Sequence, residues 1–201
     1  MNQIQTDLFQ ASPALPEGFR YQPDFLSAHE ERDLVERLAT LPFKEFEFRG
    51  YRGNRRVLSF GWQYDFNRME LQKTEDVPDF LLPLRERAAR FANLEASDLQ
   101  HVLLTEYAPG AGIGWHKDKP IFAEVVGISL GAPCVFRFRR KAGPKWERAS
   151  ALAEPRSAYL LQGPSRTDWE HSIPAVDSLR YSITFRNFKP SCNPDGQDLS
   201  R

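Results

Sequence analysis

Apolar residues recur at helical spacing in two places, and elsewhere the period shortens towards two. Leu34, Val35, Leu38 and Leu41 share one helix face. Ser27 followed by Glu30 forms a capping box that opens this helix, and Pro42 stops it. Pro78 opens a second helix, along which Leu81, Leu84, Ala88 and Phe91 repeat. Residues 43–66 are rich in aromatics and arginine, with glycines at 50, 53 and 61, and read as two or three short strands with turns. Later, His101–Tyr107, Val125–Leu130, Val135–Phe138, Ala158–Leu161 and Tyr181–Phe185 are β-favouring runs separated by glycine- and proline-bearing loops. The pattern predicts a β-rich α+β fold, with a helical N-terminal layer on a sandwich or barrel, jelly rolls among them. Residues 1–20 carry Pro13 and Pro16 without a sustained period and read as a loosely ordered lead-in. A single domain is expected over 21–190, with 191–201 as a tail.

Composition narrows the picture. The chain of 201 residues is long enough to bury a sizeable core, and it has 15 Phe and 4 Trp to fill one. No apolar run approaches the roughly 20 residues that cross a bilayer, so no membrane partner is expected. Met1–Arg20 lacks the basic-then-apolar layout of a signal peptide. Cys134 and Cys192 lack metal-ligand spacing and read as free thiols in a reducing compartment. These signs lead us to expect a cytoplasmic monomer. Lysine plus arginine (27) equal aspartate plus glutamate (27), so affinity for a polyanion must come from local patches.

The four histidines are His29, His101, His116 and His171. In a strand, residues two apart point to the same face, so His116 and Asp118 can aim an imidazole and a carboxylate at one point. His171, from another strand, would complete two histidines and one carboxylate. That set covers one face of octahedral iron(II) and leaves three positions open, two for an oxo-acid and one for dioxygen. The three ligating atoms should then approach one another to about 3–4 Å, given bonds of roughly 2.0–2.2 Å. His-x-Asp alone is a common pattern, and His171 alone could be a hydrogen-bonded core residue. Ser165 and Ser172 flank His171, but no Ser-His-Asp hydrolase context accompanies them.

Arg180-Tyr181-Ser182-Ile183-Thr184-Phe185-Arg186 alternates as a strand, with Arg180, Ser182, Thr184 and Arg186 on one face. A buried arginine seeks a carboxylate, which its planar fork binds bidentately. The two arginine Cα atoms lie roughly 20 Å apart at about 3.3 Å per residue. One should therefore hold the far carboxylate of a dicarboxylate, and the other should stand nearer the metal or play a structural part. The order His-x-Asp, distant His, Arg-x5-Arg resembles the AlkB family of 2-oxoglutarate dioxygenases. Tyr107-Ala108-Pro109-Gly110 and Gly163-Pro164-Ser165-Arg166 resemble that family's approaches to its two histidines, and the likeness runs over roughly 45–188. It implies a double-stranded β-helix (jelly roll) with N-terminal helices and a β-lid at about 45–66. It also implies iron(II) on His116, Asp118 and His171, with 2-oxoglutarate and dioxygen as co-substrates. Arg180 would grip the distal carboxylate, with Tyr107 and Arg186 completing that pocket. Thr105 and Ser182 stand where the family often has asparagine, and both keep a short hydrogen-bonding side chain. Lys119-Pro120 follows Asp118 where some DNA-repair members carry an acid, so a substrate base must be read differently here.

Arg49, Arg52, Arg55 and Arg56 fall close together without an acid, beside Tyr51, Phe60, Trp62 and Tyr64. A second basic stretch runs from Arg137 to Arg148, opposed only by Glu147. Arginines with aromatic planes suit phosphates and exposed bases. The expected partner is single-stranded DNA or RNA with alkylated bases, with Arg52, Arg55, Arg56, Trp62 and Tyr64 as contacts. The expected reaction is oxidative demethylation. Two alternatives stay open: a dioxygenase acting on a protein side chain or small molecule, and a non-catalytic nucleic-acid-binding module on the same fold.

Overall fold

The computed structural model describes residues 14–48, 51–65 and 70–192, leaving aside the side chains of 47, 48, 51–53, 63–65 and 70. In chain order its strands and helices are β1 (Phe19–Gln22), α1 (Ala28–Ala39), β2 (Lys44–Phe48), β3 (Tyr51–Phe60), β4 (Trp62–Asp65) and β5 (Glu70–Lys73). Then come α2 (Leu82–Ala92), β6 (His101–Tyr107), β7 (Ile113–His116), β8 (Phe122–Gly131), β9 (Cys134–Ala142) and β10 (Lys145–Ala153). The series closes with β11 (Ala158–Leu161), α3 (Pro164–Thr167), β12 (Glu170–Ile173) and β13 (Arg180–Phe188).

Ser27 caps α1 as its spacing predicts. Its hydroxyl accepts from the Glu30 amide at 3.2 Å, and its own amide donates to Glu30 Oε2 at 2.7 Å. The helix ends at Ala39 and Thr40 caps it, so Leu41 and Pro42 lie beyond it. The second helix begins with a 3-10 turn over Asp79–Leu81 just after Pro78, before α2 proper. Two strands of the β-core, β7 and β12, are too short to carry a legible alternation. The lead-in is also shorter than expected, because Phe19 and Arg20 already belong to β1, which pairs with β11.

Seven strands form the larger sheet in the order β1-β11-β8-β13-β6-β3-β2, and four form the smaller, β10-β9-β12-β7. Every pairing among the described residues is antiparallel. The two sheets are those of a jelly roll. One apolar layer joins the helices to the back of the larger sheet: Leu34, Leu38, Leu84, Ala88 and Phe91 against Val102, Leu104, Ile128, Ile183 and Phe185. A second fills the space between the sheets with Tyr107, Phe136, Phe138, Tyr159, Leu161 and Trp169. Strand β13 lies between β8 and β6, so both of its faces are buried. Tyr181, Ile183 and Phe185 serve the helix layer, which leaves the alternate residues to face the space between the sheets.

The segment expected as a lid is largely built into the larger sheet. Arg55 to Phe60 pair with Tyr107 to Val102, and β2 pairs with β3 as the outermost strand. Only β4 and β5 stand apart, as a two-stranded ribbon.

Candidate metal centre and its co-substrate pocket

Antiparallel pairing of β7 with β12 sets His116 directly opposite His171. Side chains so placed are close neighbours on one face, and the two imidazole rings lie 4.2 Å apart between centroids. Strand β7 ends at His116, so Asp118 arrives from the following loop and not from an extended strand. Buried Arg166 fixes that loop by donating to the carbonyls of Lys119 and Phe122, the latter at 3.2 Å. Ligand atoms of His116, Asp118 and His171 all fall within 4.8 Å of one another, somewhat wider than the 3–4 Å expected, and His171 Nε2 stands 3.6 Å from Asp118 Oδ2.

The surroundings prepare these groups as ligands. His116 Nδ1 lies 2.9 Å from the Gly114 carbonyl, and donating there leaves Nε2 with its lone pair free. The His171 ring stacks on Phe136 at 5.1 Å. Burial pushes the His171 imidazole down to about 3 and lowers His116 as well, so both rings are neutral at ordinary pH. The contact between His171 and Asp118 is accordingly not an ion pair there. Burial opposes the charge on Asp118, but Arg186, His171, His116 and Arg166 together outweigh it and hold the carboxyl far below the usual range. Two neutral imidazoles and one carboxylate are the deprotonated donor set that a divalent metal needs.

The inward face of β13 makes the neighbouring wall. Arg186 Nη2 donates to Asp118 Oδ1 at 2.9 Å, which puts this arginine at the metal end. Its Nη1 lies 3.4 Å from His101 Nδ1. Arg180, at the far end, is fully buried. Its Nη2 donates to the Ser129 hydroxyl at 3.2 Å, while Nε and Nη1 are buried with no hydrogen-bond partner among the described residues. A buried guanidinium left with two unpaired donors has the chemistry to receive a carboxylate. Tyr107 pairs with Arg180 in register, and its ring centre lies 4.9 Å from the guanidinium carbon. Between the two arginines, Ser182 stands in register with Thr105 on one side and Ser129 on the other, forming a row of three hydroxyls.

Tyr159 is a further wall residue that sequence reasoning missed. Its ring occupies the space where a Cβ on Gly127 would be, 2.1 Å from Cζ, so only glycine admits it. These walls belong to an open cavity of about 1650 Å³ that runs out as far as Leu41, Thr74 and Phe80, and its lining includes His116, Asp118, His171, Tyr107, Thr105, Ser182 and Arg186.

The residues expected to meet substrate separate. Arg55 lines the cavity, its guanidinium 3.8 Å from the centre of the Phe46 ring. Arg56, one residue on, takes the opposite face of β3 and binds Glu106 bidentately at 2.7 and 2.8 Å. Tyr181 adds a third bond to that carboxylate at 3.1 Å, and Arg56 does not stand in the cavity wall. Trp62 packs edge-on to Phe188 and lines a separate shallow cleft. The side chains of Arg52 and Tyr64 lie outside the described residues.

A profile of the 2OG-Fe(II) oxygenase superfamily matches residues 18–186. The chain belongs to this superfamily. Among its relatives is an alkylated DNA repair protein ALKBH8 homolog of Arabidopsis thaliana, 27% identical over 198 residues, covering 85% of this chain and 55% of that protein. Another is the tRNA (carboxymethyluridine(34)-5-O)-methyltransferase alkbh8 of Xenopus tropicalis, 27% identical over 171 residues, covering 81% of this chain and 26% of that protein. The chain thus spans about half of the first and a quarter of the second. The solved structure of OsALKBH1 superposes with a TM-score of 0.65 at 18% identity, over 87% of this chain and 98% of that one, which shows a shared fold. This 2OG-Fe(II) oxygenase is therefore of the AlkB type. Superfamily membership carries iron(II), 2-oxoglutarate and dioxygen with it, and the donor set and the orphaned Arg180 nitrogens fit the first two.

Proposed function

We propose that this dioxygenase domain oxidises an N-alkyl group on a nucleobase of single-stranded DNA or RNA. The observation that carries the reading is the cavity. At about 1650 Å³ it exceeds the roughly 300–1,000 Å³ that suits one drug-sized ligand, leaving room for a base beside the small oxo-acid. Its wall on β2 and β3 offers Phe46 as an aromatic plane and Arg55 as a cation. The names of the two relatives speak of alkylated DNA and of transfer RNA, which supports a nucleic-acid substrate.

With iron(II) bound, 2-oxoglutarate and dioxygen supply the oxidation: succinate and carbon dioxide are released, one oxygen atom enters a C–H bond, and an N-hydroxymethyl product falls to formaldehyde and the bare nitrogen. The chain's part is to bind, orient and exclude water. His116, Asp118 and His171 hold the metal. Arg186 orients Asp118 and keeps it charged. Arg180 receives the distal carboxylate, with Tyr107 closing over it and the Thr105, Ser129 and Ser182 hydroxyls beside it. No protein acid–base pair is required.

The test is mass spectrometry of methylated single-stranded DNA and RNA after incubation with the protein, iron(II), ascorbate and 2-oxoglutarate. The expected result is loss of the methyl group with matching succinate. Succinate without any change in the oligonucleotides would redirect the search to a protein side chain or a small molecule. Oligonucleotide binding without succinate would indicate a non-catalytic module.

A further inference from the structure

The smaller sheet has an outer face that the reaction does not use. Alternation along β9 turns Phe136 and Phe138 inward and sends Val135, Arg137, Arg139 and Lys141 outward. From β10, Trp146, Arg148, Ser150 and Leu152 stand opposite Lys141, Arg139, Arg137 and Val135. Trp115 of β7, beside inward-facing His116, completes the surface. The side chains interleave as a ladder. Arg137 lies 5.2 Å from the Trp115 ring centre, Arg139 lies 4.5 Å from the centres of both Trp115 and Trp146, and Lys141 lies 5.6 Å from that of Trp146.

Charge on this face is one-sided although the whole chain balances. Among the described residues, four cations stand there with a single acid, Glu170, which binds Arg139 Nε at 2.5 Å. Among the described residues, Arg137 hydrogen-bonds the neutral Ser172 hydroxyl alone, at 3.1 Å. Of the five large apolar residues exposed among the described residues, Val135, Trp146 and Leu152 lie here. A face that is basic, aromatic and partly apolar is complementary to a polyanion that also carries flat rings.

We infer that the outer face of β7-β12-β9-β10 is a docking platform for the single-stranded nucleic acid whose alkylated base enters the cavity. The inference rests on the substrate class proposed above and extends it to a second surface. Arg137, Arg139 and Lys141 repeat every second residue, about 7 Å apart, which is comparable with the step between phosphates of an extended single strand. Arg148, on the neighbouring strand, widens the basic track. Trp146 offers a ring that is 37% exposed. Strand β7 is the free edge of the smaller sheet, and Trp115 stands on it next to a proposed metal ligand. A nucleic acid lying on the face needs only to round that edge to present a base to the cavity.

The experiment uses the full chain with iron(II) and 2-oxoglutarate and two labelled single-stranded probes, a pentanucleotide with one methylated base and a longer oligonucleotide of about twenty nucleotides, longer than one small-domain site. One variant replaces Arg137, Lys141 and Arg148 by Gln, and another is Trp146→Ala. The triple variant should bind the long probe at least tenfold more weakly. Its slope of log affinity against log salt should be flatter by about two units, since each lost phosphate contact on a single strand removes about 0.7. Trp146→Ala should lose about 5- to 100-fold and keep its slope. Both variants should demethylate the pentanucleotide as the unaltered chain does, which also reports an intact fold. Unchanged affinity and slope of the triple variant for the long probe would overturn the platform while leaving the proposed reaction standing, and would assign the face to an acidic protein instead. If the unaltered chain binds neither probe, the substrate class itself fails and the platform falls with it.

Discussion

Arg186 reaches across from the larger sheet to bond Asp118 at 2.9 Å, tying the strand that carries the co-substrate row to the loop that carries the metal carboxylate. Asp118 is thereby both oriented and kept ionised, and Arg186 is spent on that task. On the proposed reading the distal carboxylate would fall to Arg180 alone.

Arg186→Ala should weaken iron(II) affinity by about 10- to 100-fold, the usual effect of losing a partner that orients a ligand. Lys should restore part of the loss, because it supplies charge without the fork. Anaerobic titration with iron(II), or with cobalt(II) followed by its absorption bands, measures this. Equal affinities in the two proteins would mean that Asp118 is positioned without Arg186.

Arg180→Ala should raise the 2-oxoglutarate requirement by about a hundredfold, the loss of two charge-assisted bonds of about 1.5 kcal/mol each. Thermal shift gives an independent readout. At a hundred times its Kd, 2-oxoglutarate should stabilise the metal-loaded protein by about 2.7 kcal/mol, roughly 5–10 °C at this size. The variant should show almost none of that shift. A full shift in the variant would move the carboxylate site elsewhere.

Gly127→Ala should damage the co-substrate pocket without touching any proposed ligand. The added methyl would overlap the Tyr159 ring, whose displacement must intrude on the cavity or strain β11. Overpacking of this kind costs about 1–3 kcal/mol. Tyr159→Ala in the Gly127→Ala background should recover part of the 2-oxoglutarate affinity, and denaturant unfolding with a binding isotherm tests both effects.

The metal-free protein should lose stability as pH falls from neutral. In the unfolded chain His171 takes up a proton near its ordinary pKa of about 6.5, whereas in the fold it stays neutral down to about 3. The unfolded state therefore binds the extra proton throughout that window, and His171 alone contributes a decline of up to about 1.4 kcal/mol per pH unit, to which His116 and His101, also lowered by burial, add losses of the same sign. His171→Gln should flatten the decline between pH 6.5 and 4.5. Below that range Asp118 adds a loss of the same sign, because its depressed pKa stabilises only the ionised form. Urea unfolding over a pH series resolves the two windows.

Adjacent arginines on β3 should behave differently. Arg55→Gln should weaken oligonucleotide binding and flatten its salt dependence by a little under one unit on a single strand. Arg56→Gln should leave binding alone but cost about 1–2 kcal/mol, because Glu106 would remain buried with only the Tyr181 hydroxyl as partner. A salt-dependence change in Arg56→Gln would place that side chain on the substrate path.

Much of this was readable from spacing. The capping box at Ser27, the limits of β6 and β11, and the alternation of β13 depend on local chemistry that a short stretch of sequence carries. What escaped depended on contacts between distant segments. His-x-Asp spacing predicts Asp118 in a strand, but Arg166, far along the chain, holds its segment as a loop instead. Arg55 and Arg56 look alike in sequence, and only pairing with β6 decides which one turns towards Glu106. Tyr159 gave no signal of its own, since what matters is Gly127 opposite it on β8. The segment read as a lid joins the margin of the larger sheet, because β3 makes its backbone bonds to β6 on one side and to β2 on the other.

Placing the hydroxyl row on a central strand and Phe46 on the outermost one separates what must stay fixed from what is free to change. A one-residue slip in β13 would exchange Arg180 and Arg186 for the apolar side chains of the helix layer and destroy both layers at once. Among the described residues, strand β2 pairs in the sheet with β3 alone. Replacing it with a strand of different side chains would recut that wall of the cavity without disturbing the metal ligands, so one scaffold can be fitted to different substrates by exchanging its margin.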